Sequence, residues 1–193
     1  VLQQQGLRVA AMKPVASGCE WRDGQLQNED ALALSQQADI KLPYLQVNPY
    51  AFEPAIAPHL AAKQVGETIS LTVLESQFTA MRLQADAVVV EGAGGWLVPL
   101  NDQQTIADLA KALKLPVVLV VAIKLGCINH ALLTVQAIAD SGLKLVGWVA
   151  NDFLDDSQST AIIQSLKQRI TAPCLGIVPK LAEDEDASVY LTL

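Results

Sequence analysis

Short apolar runs alternate with longer amphipathic stretches along this chain, and that alternation is its strongest structural signal. Five runs predict strands: Arg8–Lys13, Asp86–Glu91, Pro116–Ala122, Lys144–Ala150 and Pro173–Val178. Most are continuously apolar, as parallel strands covered on both faces are. Between them the periodicity predicts helices over Asn28–Gln37, Thr68–Gln84, Thr105–Leu113, Ile128–Ser141 and Asp156–Ile170. Asn28, Thr68 and Thr105 are N-cap residue types, Asp108 completes a variant capping box with Thr105, and Gly142 is a helix stop. Val1–Gly6 reads as the tail of a further helix. Strands and helices of these lengths predict an α/β fold: a doubly wound, mostly parallel sheet with helices on both faces. No repeat or linker divides the chain, so 1–193 is expected to be one domain. Lys41–Leu60 breaks the regularity. It is Pro-rich and too long for an ordinary connection, hence a functional loop or a packed surface insertion.

Composition narrows the function. Aromatic residues make up only 5% of the chain, which suits helices on a sheet better than a β-sandwich. The net charge is −7 with no cluster of Lys or Arg, so no nucleic acid and no anionic membrane is expected as a partner. Cys19, Cys127 and Cys174 are widely spaced and odd in number, the usage of reduced thiols in a cytoplasmic protein. No apolar run approaches the ~20 residues of a membrane span, and the start lacks a signal peptide's layout. The acidic stretch Glu183–Asp186 reads as solvated surface.

Open parallel sheets bind ligands beyond the carboxyl ends of their strands. The first strand ends in Lys13, followed by Pro14–Gly18. A lysine there can neutralise phosphate or carboxylate charge and Ser17 can orient a substrate, although a surface lysine before a turn has the same signature. The second strand delivers Glu91 into Gly92–Ala93–Gly94–Gly95. A carboxylate at a buried strand end is costly without a cation, magnesium being the obvious one, and the glycines admit close backbone approach to an anion. The plainer reading is a flexible turn with a satisfied glutamate. Asp30 stands in the first turn of its helix, where a capping charge also belongs. Lys124–His130 turns from a strand into a helix N-terminus, a place that suits a carboxylate. His130 reads as packed or surface, and Cys127 has no neighbouring base to make it a nucleophile. Asn151–Asp152 could read a base edge or be a plain turn.

Together these pieces resemble the dethiobiotin synthetases. The resemblance rests on seven ordered blocks: KPVASG (Lys13–Gly18), ED with its helix (Glu29–Leu34), VNPYAFEPAIAPH (Val47–His59), VEGAGGW (Val90–Trp96), KLGCINHALLT (Lys124–Thr134), GWVAND (Gly147–Asp152) and LGIVPKL (Leu175–Leu181). It implies a P-loop NTPase-like three-layer α/β/α fold. It also implies ring closure of 7,8-diaminononanoate with CO2, driven by ATP with Mg2+, in a cytoplasmic homodimer. Lys13 would be catalytic. Asp30 and Glu91 would hold magnesium with the nucleotide phosphates. Ser17 and Gly95 would contact substrate, while Gly92, Ala93 and Gly94 would line the nucleotide site. Asn151, Asp152, Pro179, Lys180 and Leu181 would surround the base. The Gly126–Cys127–Ile128–Asn129 turn would hold the substrate's distal carboxylate from the partner subunit.

The family begins with a strand and a GxxxxxGKT-type phosphate loop upstream of the lysine that matches Lys13. No Gly-Lys-Thr occurs in these residues, so the first strand and loop are expected to be missing from this sequence, an incomplete record of a longer chain. An inactive substrate-binding or dimerising module of the same fold is the alternative.

Overall fold

Val9, Ala10, Ala11 and Met12 are all buried, and they form the first strand, β1 (Val9–Met12), one residue shorter at each end than the run predicts. The structure is a computed structural model that describes residues 1–153, 157–182 and 185–192, in two compact units, Leu2–Leu113 and Lys114–Leu193.

In the first unit, β1 is followed by β2 (Val15–Ser17), β3 (Glu20–Arg22), β4 (Gln25–Gln27), α1 (Glu29–Gln37), α2 (Tyr44–Val47) and β5 (Tyr50–Phe52). Then come α3 (Pro58–Gln64), α4 (Leu71–Arg82), β6 (Ala87–Val90) and α5 (Ile106–Leu113). β1 pairs in parallel with β6, from Val9 opposite Ala87 to Met12 opposite Val90. That register brings Lys13 and Glu91, each one residue beyond its strand, to the same edge. Leu74, Phe78 and Met81 recur at helical spacing on α4 and are all buried, so this helix contributes its apolar face to the core of the unit. Ser70, not Thr68, occupies its N-cap.

Two features differ from the expectation. Lys41–Leu60 is not irregular throughout: α2 and β5 form inside it, α3 begins in it, and β5 pairs in parallel with β2. Val47, Asn48, Tyr50 and Phe52 are buried there, so this half of the segment is packed scaffold. The second feature is the antiparallel hairpin of β3 and β4, turning at Asp23 (φ 49°) and Gly24 (φ 79°). Positive φ at both turn residues makes the two-residue turn whose twist suits a hairpin. Trp21, opposite Leu26, is 64% exposed on it. The Val1–Gly6 helix tail is a single 3-10 turn, Gln3–Gln5, closed by Gly6.

In the second unit, β7 (Val117–Ala122), α6 (Cys127–Asp140), β8 (Leu145–Asn151), α7 (Ser157–Arg169) and β9 (Cys174–Val178) precede a 3-10 turn at Ala187–Tyr190. β7, β8 and β9 form one parallel sheet in that order. Leu119 and Val121 pack into a core with Ile123, Ala131, Ile163 and a fully buried Trp148, whereas Val118 and Val120 project outward from the opposite face of β7. The predicted start of α7 at Asp156 and the acidic residues Glu183 and Asp184 lie outside the described residues. Of that acidic stretch, Glu185 and Asp186 are exposed. All three cysteines are free. No helix among the described residues is long and apolar enough to cross a membrane.

Candidate active site

Lys13 is the centre of the site in the first unit. Its side chain is 6% exposed, and Nζ donates to Asp30 Oδ2 at 2.9 Å, to Glu91 Oε1 at 2.6 Å and to the Gly92 carbonyl at 3.1 Å. An ammonium has three protons, and all three are used here. Each acid arrives by a separate local rule. Asp30 is set by the cap of α1, where Asn28 Oδ1 accepts the Asp30 and Ala31 N–H groups at 3.1 and 3.4 Å. Glu91 is set by the β1–β6 register, and its own N–H reaches the Met12 carbonyl at 2.9 Å.

Burial is unequal across the cluster. The Asp30 and Glu91 side chains are 57% and 46% exposed, so each carboxylate keeps lone pairs open to solvent beside a buried cation. A cleft of about 280 Å³ opens beside them, lined by Lys13, Ser17, Asp30, Ala93 and Gly94 among others. Ser17 Oγ is buried without a hydrogen-bond partner among the described residues, so the hydroxyl is available to a bound group. Gly94 has φ 76°, and a Cβ there would stand 2.9 Å from Val98 Cγ2, so any side chain at this bend would be strained. At Gly92 the group turned toward Lys13 is the carbonyl, not the amide. Behind the cleft, burial pushes the Cys19 thiol up, opposed by its contact with Phe52 backbone and by the Lys13 charge. A thiol kept protonated in this way is a poor nucleophile.

Gly95 follows Gly94 in the first unit, and the remaining predicted residues belong to the second. Asn151 ends β8 and its carbonyl accepts from Ile123 N–H at 2.9 Å, while Asp152 N–H donates to the Val178 carbonyl at 2.7 Å. The carboxyl ends of β7, β8 and β9 are thereby aligned, and Pro179, Lys180 and Leu181 continue from the last of them. Gly126 (φ 89°) is the N-cap of α6, and Cys127, Ile128 and Asn129 are its first helical turn, not part of a loop. Cys127 is buried, whereas Asn129 and His130 are exposed. Sequence reasoning passes over Tyr44 and Asn48, whose side chains join the hydrogen bonds around Lys13 and Asn28. A lone amide in the otherwise apolar run Val47–Phe52 was the available signal.

The fold is similar to that of the MinD cell division protein of Aquifex aeolicus, with a TM-score of 0.53 over 93% of this chain and 72% of that one, at 12% identity. On this P-loop NTPase-like α/β fold, Lys13 and Glu91 stand just beyond the ends of two paired parallel strands, beside Asp30 in the first turn of α1 and a glycine-rich turn. A family model described as an AAA domain matches residues 1–188. The chain is 53% identical to the ATP-dependent dethiobiotin synthetase BioD of Cellvibrio japonicus, over 97% of this chain and 84% of that protein. It is 54% identical to the same enzyme of Pseudomonas aeruginosa (95% and 82%) and 47% identical to that of Yersinia pestis (96% and 78%). The chain belongs to the ATP-dependent dethiobiotin synthetase family.

Proposed function

We propose that the chain makes dethiobiotin from 7,8-diaminononanoate, CO2 and ATP, and that Lys13, Asp30 and Glu91 are the phosphoryl-transfer end of its site. The observation that carries this reading is the convergence of two half-exposed carboxylates on one buried ammonium at a strand-end edge. In the reaction, an amine adds to CO2 to give a carbamate. A carbamate oxygen then takes the γ-phosphoryl group from ATP, and ADP leaves. The second amine attacks the carbonyl carbon, phosphate departs and the ureido ring closes. Such chemistry depends mainly on positioning and charge neutralisation. The fixed Lys13 ammonium meets the charge that develops on the carbamate and the transferred phosphoryl group, and the unpartnered Ser17 hydroxyl hydrogen-bonds the substrate.

Magnesium fits this donor set. Asp30 and Glu91 already converge on one cation, Nζ. Two carboxylates that share one cation are the kind of oxygen donor set that magnesium favours. Asp30 and Glu91 would hold it, and it would supply charge neutralisation at the phosphates.

By family resemblance, Gly92, Ala93 and Gly94 line the nucleotide site, and Asn151, Asp152 and Pro179–Leu181 read the base. Gly95 contacts substrate, and Gly126–Asn129 hold the distal carboxylate across a homodimer. Two exposed leucines beside that segment, Leu125 (99%) and Leu133 (62%), are what a covering subunit would bury. The unbroken family match over 1–188 supports one domain, and free cysteines suit a cytoplasmic enzyme.

The test is phosphate release from Mg-ATP with bicarbonate, with and without the diamine. It is run on the 193-residue chain and on a version carrying the strand and phosphate loop that the family resemblance implies. Diamine-dependent release, with dethiobiotin seen by mass spectrometry, is expected. Folded protein that releases none in either version would end this reading.

A further inference from the structure

The hydrogen bonds around Lys13 close into a ring. The Asn48 side chain is fully buried and Nδ2 donates to the Lys13 carbonyl at 2.7 Å and the Tyr50 carbonyl at 3.1 Å. Asn48 Oδ1 accepts from the Tyr44 hydroxyl at 2.9 Å, and that hydroxyl accepts the Asn28 N–H at 2.7 Å. Asn28 Oδ1 then accepts the Asp30 N–H at 3.1 Å, and Asp30 Oδ2 accepts from Lys13 Nζ at 2.9 Å. The circuit returns to the residue where it began. Its proton directions are fixed without choice. A phenol that accepts from an N–H must send its own proton to Asn48 Oδ1, and both amide protons then face carbonyls.

We infer that Tyr44 and Asn48 are positioning residues, and that this ring holds the Lys13 ammonium and the Asp30 carboxylate in register with each other. Without the ring, Lys13 is placed by the end of β1 and Asp30 by the cap of α1, elements otherwise tied at their far ends, where the Asp39 and Ile40 N–H groups after α1 donate to the Val9 carbonyl at 2.9 and 3.1 Å. The ring ties the backbone of the first to the cap of the second through one phenol and one amide. The Val47 carbonyl, which accepts the Lys13 N–H at 2.8 Å, ties Lys13 a second time to the segment that carries Asn48. A phenol is protonated at neutral pH in any case, and burial pushes that of Tyr44 further up, against the opposing Asn28 contact. The inference rests on the reading of Lys13 and Asp30 as the reactive cluster for its consequence, though not for its geometry.

Tyr44→Phe removes one oxygen and leaves the ring volume in place. The control is Phe78→Leu, which loosens the core of α4 outside the circuit. Two readouts are taken on each folded protein: the acetylation rate of Lys13 relative to the exposed Lys63 and Lys111, by mass spectrometry, and the dissociation constant for Mn2+, by electron paramagnetic resonance. Tyr44→Phe is expected to raise Lys13 acetylation about fivefold, the scale of one net hydrogen bond, and to weaken Mn2+ about tenfold, as lost outer-shell partners do. Phe78→Leu is expected to move neither. Equal changes in both variants, or no rise in Lys13 acetylation in Tyr44→Phe, would overturn the inference. A rise at Lys13 in a protein whose parent binds no Mn2+ would sustain the ring and instead sink the metal reading.

Discussion

The burial asymmetry at Lys13 decides which substitutions harm the fold and which harm only the chemistry. The cation is buried and its two anions are half exposed. Lys13→Met removes the group that is hard to solvate and leaves two carboxylates that water can reach, so the thermal midpoint is expected to stay near the parent's. Diamine-dependent phosphate release is expected to fall by about 10²–10³, the usual loss when one electrostatic stabiliser is removed. The reverse change strands the ammonium. Asp30→Asn with Glu91→Gln leaves a buried charge with no anionic partner, and denaturant unfolding is expected to show a loss of about 3 kcal/mol. If Lys13→Met proves the more destabilising of the two, the cluster owes its form to stability and not to function. Lys13 and Glu91 were legible in the sequence because each is a charged residue that ends an apolar run, although only the run before Lys13 is buried. Asn48 was not, because an Asn-Pro pair reads as a turn whether or not its amide is buried.

Among the helices, caps carried most of the legible information. Thr105 and Asp108 make the expected box at the start of α5: Asp108 Oδ2 accepts from Thr105 N–H at 2.9 Å and from Thr105 Oγ1 at 2.8 Å. These bonds, with Lys111 adding a smaller share, hold the Asp108 carboxyl below its ordinary range. A carboxyl lowered in the folded state contributes stability that is present above the unfolded value, about 4, and lost as pH falls through the folded one. Asp108→Asn is therefore expected to lower the thermal midpoint at pH 7, with the difference from the parent shrinking between about pH 4 and the lower folded value. A constant difference across that range would assign the effect to packing. The β3–β4 hairpin was less legible, since its strands have no apolar run and no clear alternation. The Asp23-Gly24 pair was its one local mark.

Over the whole molecule, β1, β6, β7, β8 and β9 were legible because nearly continuous apolar runs in a chain of this length have few other solutions. The half of Lys41–Leu60 that becomes scaffold was not, because its short β5 is specified by pairing with β2, a contact no local pattern records. A homodimer that covers Leu125 and Leu133 predicts that the chain sediments as a dimer and that Leu133→Asp sediments as a monomer. A monomeric parent at micromolar concentration would remove that proposal. The placement of the tryptophans has a separate use. Trp148 is sealed in the core of the second unit, Trp21 stands in solvent on the hairpin of the first, and Trp96 is intermediate. Acrylamide will quench the red-edge emission of Trp21 and spare the blue-edge emission of Trp148. Loosening of the second unit will therefore bring Trp148 within reach of the quencher and shift its emission to the red, against a Trp21 signal that changes little.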